Sequence, residues 1–448
     1  MSDPISANLP AHTPLKAAGT AEPYRCSVLV VGGGPAGSTV SALLAARGID
    51  VLLVEKDRHP RFHIGESLLP RNIPILRRLG LEDRLRSIGV LKRGADFSVP
   101  DGSRHIVFNF RDAMRPDEPT AFQVRRSEFD HMLIDNAEKA GVRVYQETRL
   151  DDLDIREDGV MAQVTGPDGT ASVVEADWVV DATGRDSFLS RKLALKRRDP
   201  RHASAAVFGH FDGVERRPGD EAGNISIYWF DQGWFWVIPL RDGCTSVGMV
   251  CYPRYLKDRR GGLEDLFRET VARTPGLAQR MRHATARDGV QGTGNFSYRS
   301  TQMTGNRFFL VGDAYAFIDP VFSSGVYLAM QGAEYAAEAI EACLADPRSA
   351  ARYQRRYERR VKRGLRVFSW FIYRFTSPAF RSLFTQPTDK FSLRAAVISV
   401  LSGDVYGRTP LWSRLMLFRA IYWFTSLVLW RRGGAYRGRL AEHEARFN

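Results

Sequence analysis

The stretch "CSVLVVGGGPAGSTVSALLAARGIDVLLVEKD", Cys26 to Asp57, constrains the fold more than any other part of the chain. Ser27 to Val31 is a short apolar, β-branched run of the kind that fills a parallel strand buried on both faces. Gly32, Gly34 and Gly37 then form G-x-G-x-x-G with Pro35 and Ala36 inside the motif, and a helix-forming run closes at Gly48. A second apolar strand ends at Glu55, 18 residues beyond Gly37, with Lys56 beside it. Gly32 suits a tight turn, Gly34 lets backbone approach a pyrophosphate, and Gly37 lets the helix pack closely on the strand. The helix amino terminus offers N–H donors and a positive dipole end, while the Glu55 carboxylate can accept from a ribose diol. Strand, loop, helix, strand and acid in this order predict a dinucleotide site in a Rossmann-like α/β fold.

The 448 residues allow one large or two intimate domains, and an apolar fraction of 44% leaves room for a core that encloses a bulky cofactor. Four scattered cysteines, Cys26, Cys244, Cys251 and Cys343, have no metal-ligand spacing, so no metal site is expected and a reducing, cytoplasmic setting is. The first 23 residues read as a mobile tail without an export signal. Downstream, "VRRSEFDHML" (Val124 to Leu133), "ADWVVDATGRDS" (Ala176 to Ser187) and "NRFFLVGDAYAFIDPVFSSGVYLAMQGAEYAAEAI" (Asn306 to Ile340) resemble elements of the glutathione-reductase-like flavoproteins. The resemblance implies FAD. It places Gly312 and Asp313 at the ribityl chain, Arg126 near the phosphates, Gly184 in the cofactor site, and Pro320 and Gly325 at the start of a helix near Ser324 that faces the ring.

Four further stretches, in order, resemble the flavin-dependent halogenases. "HIGESLLP" (His63 to Pro70) is similar to their flavin-covering segment, and "LKRGADF" (Leu91 to Phe97) to the region of their catalytic lysine. "WFWVIP" matches W-x-W-x-I-P, and "FIDPVFSSG" (Phe317 to Gly325) matches F-x-x-P-x-x-S-x-G. The Asp-Gly pair usual in single-component hydroxylases is absent after Gly184, where Arg185 and Asp186 stand, and there is no second G-x-G-x-x-G for a nicotinamide cofactor. The resemblance therefore implies a two-component enzyme of secondary metabolism that receives FADH2 from a separate flavin reductase. Reduced FAD, O2 and chloride or bromide would yield hypohalous acid. Lys92 would relay it, by hydrogen bonding or as a haloamine, to an electron-rich substrate; Arg93 next to it is read as structural. Trp234 and Trp236 would stand between flavin and substrate, the backbone N–H groups of Ser324 and Gly325 would hold the halide, and Glu66, Ser67 and Phe322 would border the substrate pocket.

Phe322 stands where the tryptophan-halogenating branch has a glutamate, so the chain looks more like the branch acting on phenols, pyrroles or acyl groups tethered to a carrier protein. A flavin hydroxylase, or a reductase like the geranylgeranyl reductases, is the alternative, since both share the fold. The expected organisation is a discontinuous FAD module (about 24–100, 120–200 and 290–345) with an inserted antiparallel substrate sheet (about 201–289), then a helical region over 346–448. The net charge of +13, concentrated in "RYQRRYERRVKRGLR" (Arg352 to Arg366), suits acidic partners such as a carrier protein or an anionic membrane surface; no nucleic-acid motif accompanies it. "AIYWFTSLVLW" (Ala420 to Trp430), flanked by arginines, is too short to span a bilayer and fits a buried helix or an interfacial, membrane-peripheral one.

Overall fold

In a computed structural model the described residues are 23–99, 102–199, 204–294, 297–387, 389–407 and 411–431; the amino-terminal tail read from the sequence lies almost wholly outside them. The run ending at Val31 forms the strand Tyr24–Val31, which pairs in parallel with Val51–Val54 on one side and Ala171–Asp181 on the other. Arg143–Tyr145 and Phe308–Leu310 extend the parallel sheet, and Arg149–Ile155 and Val160–Thr165 add an antiparallel ribbon. The helices Pro35–Ala45, Arg126–Lys139 and Ser324–Ala345 cover this sheet, and the buried strands Val51–Val54 and Phe308–Leu310 are apolar throughout, as burial on both faces requires. Four parallel strands thus end together, at Val31, Val54, Asp181 and Leu310. At that end of an open α/β sheet ligands bind.

The second sheet runs in the order Thr285–Ala286, Ala205–Asp212, Thr245–Cys251, Gly233–Pro239, Ile225–Phe230, Gly94–Ser98, His105–Asn109. It is mostly antiparallel, with one exception: Gly94–Ser98 joins Ile225–Phe230 in parallel. Gln291–Thr293 also pairs with Ala205–Asp212, so with Gly94–Ser98 and His105–Asn109 the sheet draws three strands from outside residues 201–289. Its faces divide by the two-residue period of a strand. Phe235 and Val237 point to the helices Leu263–Ala272 and Pro275–Arg280, packing with Phe267 and Leu277. Trp234, Trp236 and Ile238 point the other way, into the core shared with the carboxy-terminal helices.

Those helices are Ala350–Ile372, Pro378–Thr385, Leu393–Leu401 and Leu411–Arg431. Phe371, Phe380 and Phe384 from them, and Phe375 from the turn joining the first two, pack with Phe97, Phe108 and Trp229 of the second sheet. Among the described residues no helix is long and apolar enough to cross a membrane, and no cluster of ligating side chains suits a metal ion. The four cysteines are buried and unpaired.

Candidate functional site

A cavity of about 630 Å³ opens where the four parallel strands end and continues to the tryptophan face of the second sheet. Gly32, Gly34, Pro35, Ala36, Glu55, Lys56, Arg126, Gly184 and Asp313 line its first part; Glu66, Ser67, Trp234, Trp236, Pro320 and Gly325 line the rest. Sequence positions almost 300 residues apart therefore meet on one wall. Gly37 lies behind it: a Cβ there would sit 1.8 Å from the Gly32 carbonyl oxygen, so only glycine lets the helix approach. A Cβ on Gly34 would meet no atom closer than an Arg61 nitrogen at 3.7 Å, which leaves backbone facing open cavity.

The Glu55 carboxylate accepts from the Gly33 N–H at 2.6 Å and the Asp57 N–H at 3.0 Å, so it is fixed and still has lone pairs toward the cavity. Lys56 bonds Asp186 at 2.5 Å across the mouth. Arg126 is buried, clamped on both Asp130 oxygens at 2.8 and 2.9 Å and on the Ile64 carbonyl at 2.9 Å. Its positive charge, together with burial, pushes His63 down to about 4. Burial pushes the Asp313 carboxyl up to about 6, against the pull of Arg126 and Arg185. Gly312, just before it, adopts φ +62° beneath the helix Ser324–Ala345. Glycine loop, fixed acid and half-buried carboxyl fit a dinucleotide, and the cavity falls in the range that cofactors fill.

Trp236 is held by an indole N–H bond to the Ser246 hydroxyl at 3.2 Å and lies against Trp234 with ring centres 6.0 Å apart. The residue paired with it on the next strand is Gly248, where a Cβ would come within 2.2 Å of the indole. That glycine makes the space the ring occupies.

Lys92 is 1% exposed, on the short strand Val90–Lys92 that pairs with Ala121–Gln123. Its Nζ donates to the Ser67 hydroxyl and the Leu68 carbonyl, both at 2.9 Å, and lies 5.2 Å from the centre of the Phe110 ring. Among the described residues no carboxylate pairs with it, and burial pushes its pKa down to about 7. Lys92 does not line the cavity; Ser67, its hydrogen-bond acceptor, does. Arg93 points outward to Asp220 at 3.3 Å.

The helix Ser324–Ala345 begins after Ser323, which is left-handed at φ +54° and lines the cavity with Gly325, while the Ser324 side chain is buried away from it. Phe322 is also off the wall, packed on Phe371, Phe375 and Phe384, because the carboxy-terminal helices supply an aromatic cluster that takes its ring. Sequence reading did not single out Ser323, Arg61 or the Glu66–His210 bond at 3.0 Å. "RHPRFHIGES" gave a local hint of Arg61, but nothing local links residues 144 apart.

Comparison with known proteins agrees with this geometry. The FAD binding domain family matches residues 25–370. A flavin-dependent halogenase of Armillaria mellea is 35% identical over 72% of the chain, which spans 66% of that relative's length. The 1H-pyrrole-2-carbonyl-(peptidyl-carrier protein) chlorinase of Pseudomonas fluorescens is 30% identical over 85% of the chain and 89% of its own length. The structure of the myxobacterial chondrochloren halogenase CndH, described as a new variant of FAD-dependent halogenases, superposes with a TM-score of 0.75 at 33% identity, covering 87% of this chain and 92% of that one.

Proposed function

The chain belongs to the flavin-dependent halogenases, and from that premise we propose that it chlorinates or brominates an electron-rich phenol or pyrrole, free or carrier-tethered, through Lys92. Reduced FAD, delivered by a separate reductase, supplies with O2 the two-electron oxidation that turns halide and a proton into hypohalous acid and water. The chain's own residues do the rest. Glu55, Gly32 and Gly34 hold the nucleotide end, with Lys56, Arg126 and Gly184 beside it, and Asp313 holds the polyol. The first-turn N–H groups at Ser324 and Gly325 lack intrahelical acceptors and suit a halide, with Ser323 forming the adjoining wall.

The observation that carries the proposal is the Lys92 amine, buried with no counter-charge and joined through Ser67 to the cavity that Trp234 and Trp236 close. Two of its positions are taken by Ser67 and Leu68, which leaves one. Above about pH 7 that position carries a lone pair. The amine then attacks the halogen, forming an N–halogen bond and releasing water, and the haloamine passes the halogen to the ring carbon while nitrogen recovers a proton. The carrier-tethered option rests on the pyrrole chlorinase, which matches over most of both chains.

Mass spectrometry of product tests this, using the protein with FAD, a flavin reductase, and a phenol or pyrrole supplied free and as a carrier thioester. Mass gains of chlorine or bromine are expected. Hydroxylated product alone, or NADPH-driven flavin reduction without any reductase, would assign the chain to the hydroxylases instead.

A further inference from the structure

We infer that the outer face of the helix Leu411–Arg431 seats on an anionic lipid surface. Leu411, Leu415, Phe418 and Tyr422 turn inward and are buried. Met416, Leu417, Trp423, Phe424, Leu427 and Trp430 turn outward and are 37–68% exposed. Positions 416, 423 and 430 lie seven residues apart, as do 417 and 424, so these side chains form one stripe along the helix. Two tryptophans within such a stripe suit the headgroup boundary, where an apolar body and a polar tip are both satisfied.

Charge points to the same occupant. The helix contains Arg414, Arg419 and Arg431 and no acidic residue. Beside it runs Ala350–Ile372, joined by Arg363 over the Trp412 ring at 4.6 Å and followed by Arg374, 5.3 Å from the Trp423 ring centre. Arg352, Arg355, Arg356 and Arg359 are exposed one to three turns earlier on that neighbour, before its contact with Trp412, so the basic border of the apolar stripe is formed by Arg374, Arg414, Arg419 and Arg431. A second copy would bring the same arginines and be repelled. An apolar stripe bordered by arginines, on a helix unable to cross a bilayer, matches a helix lying in the plane of an anionic membrane.

Sedimentation of the full-length holoprotein with vesicles of equal parts phosphatidylglycerol and phosphatidylcholine tests the inference. The protein should pellet with them, its tryptophan emission should shift to the blue, and binding to pure phosphatidylcholine should be about tenfold weaker or less. The triple variant Trp423→Ser, Phe424→Ser, Trp430→Ser should keep its circular dichroism and FAD and lose about a hundredfold in vesicle affinity. Equal pelleting of the triple variant, or no pelleting of the wild type, would overturn the inference. So would a wild-type dimer that the triple substitution disperses, or vesicle-free binding of an acidic carrier protein that the same substitution abolishes.

Discussion

At Lys92 the protein holds an amine where a positive charge is costly, and the cost has a measurable pH dependence. The folded-state pKa is lowered to about 7 from an unfolded value of 10.5. Between those limits the unfolded chain binds a proton that the folded chain lacks, so stability rises with pH across the window; below about pH 7 the penalty is present in full. Lys92→Met removes it. The variant should gain a few kcal/mol over wild type at about pH 6 in urea denaturation, and the gain should shrink by about pH 9. A gain independent of pH would mean that the Lys92 pKa is the same folded and unfolded, so that the interior does not penalise its charge. Within "LKRGADF" burial separates Lys92 from Arg93, which turns outward to Asp220. Sequence could not show that the amine stands behind Ser67, since that contact joins residues 25 apart through a turn of the covering segment.

Among elements, Gly233–Pro239 shows how one strand serves both a core and a cavity wall. Its period of two sends Phe235 and Val237 to one face and Trp234 and Trp236 to the other, and that shared tryptophan face was legible from "WFWVIP" alone; that the face lines a cavity was not. The role of Gly248 was not, because register between strands is set by pairing and leaves no local trace. Trp236→Ala should destabilise the fold by about 3–5 kcal/mol, as large buried truncations do. Trp236→Phe should fold, thin the cavity wall and raise the hydroxylated fraction of product, measured by mass spectrometry; unchanged product with normal stability would reduce the indole to packing. The third strand–turn–helix element was also legible, down to a helix starting at Ser324. Phe322 shows the limit: the ring neighbours that turn it from the cavity come from helices at 350–385, whose docking no motif encodes.

On the scale of the whole molecule, a parallel sheet and a mixed sheet share one cavity, and the carboxy-terminal helices close the core behind Trp229 and Phe322. The Rossmann-like half was legible because its loop chemistry is local; the shared cavity was not, since it depends on Gly94–Ser98 crossing into the second sheet and on bonds such as Glu66–His210. The helix Leu411–Arg431, for which burial and an interfacial position both fitted the sequence, has one inward and one outward apolar face. The proposed activity depends on Lys92 passing halogen to the substrate. The most direct measurement is halogenated product formed by wild type, Lys92→Ala and Lys92→Arg, each supplied with FAD, reductase, O2 and halide and each shown spectrophotometrically to hold FAD. Product is expected from wild type alone, with Lys92→Arg inactive because a guanidinium has no free lone pair. Normal halogenation by Lys92→Ala with FAD bound would contradict it.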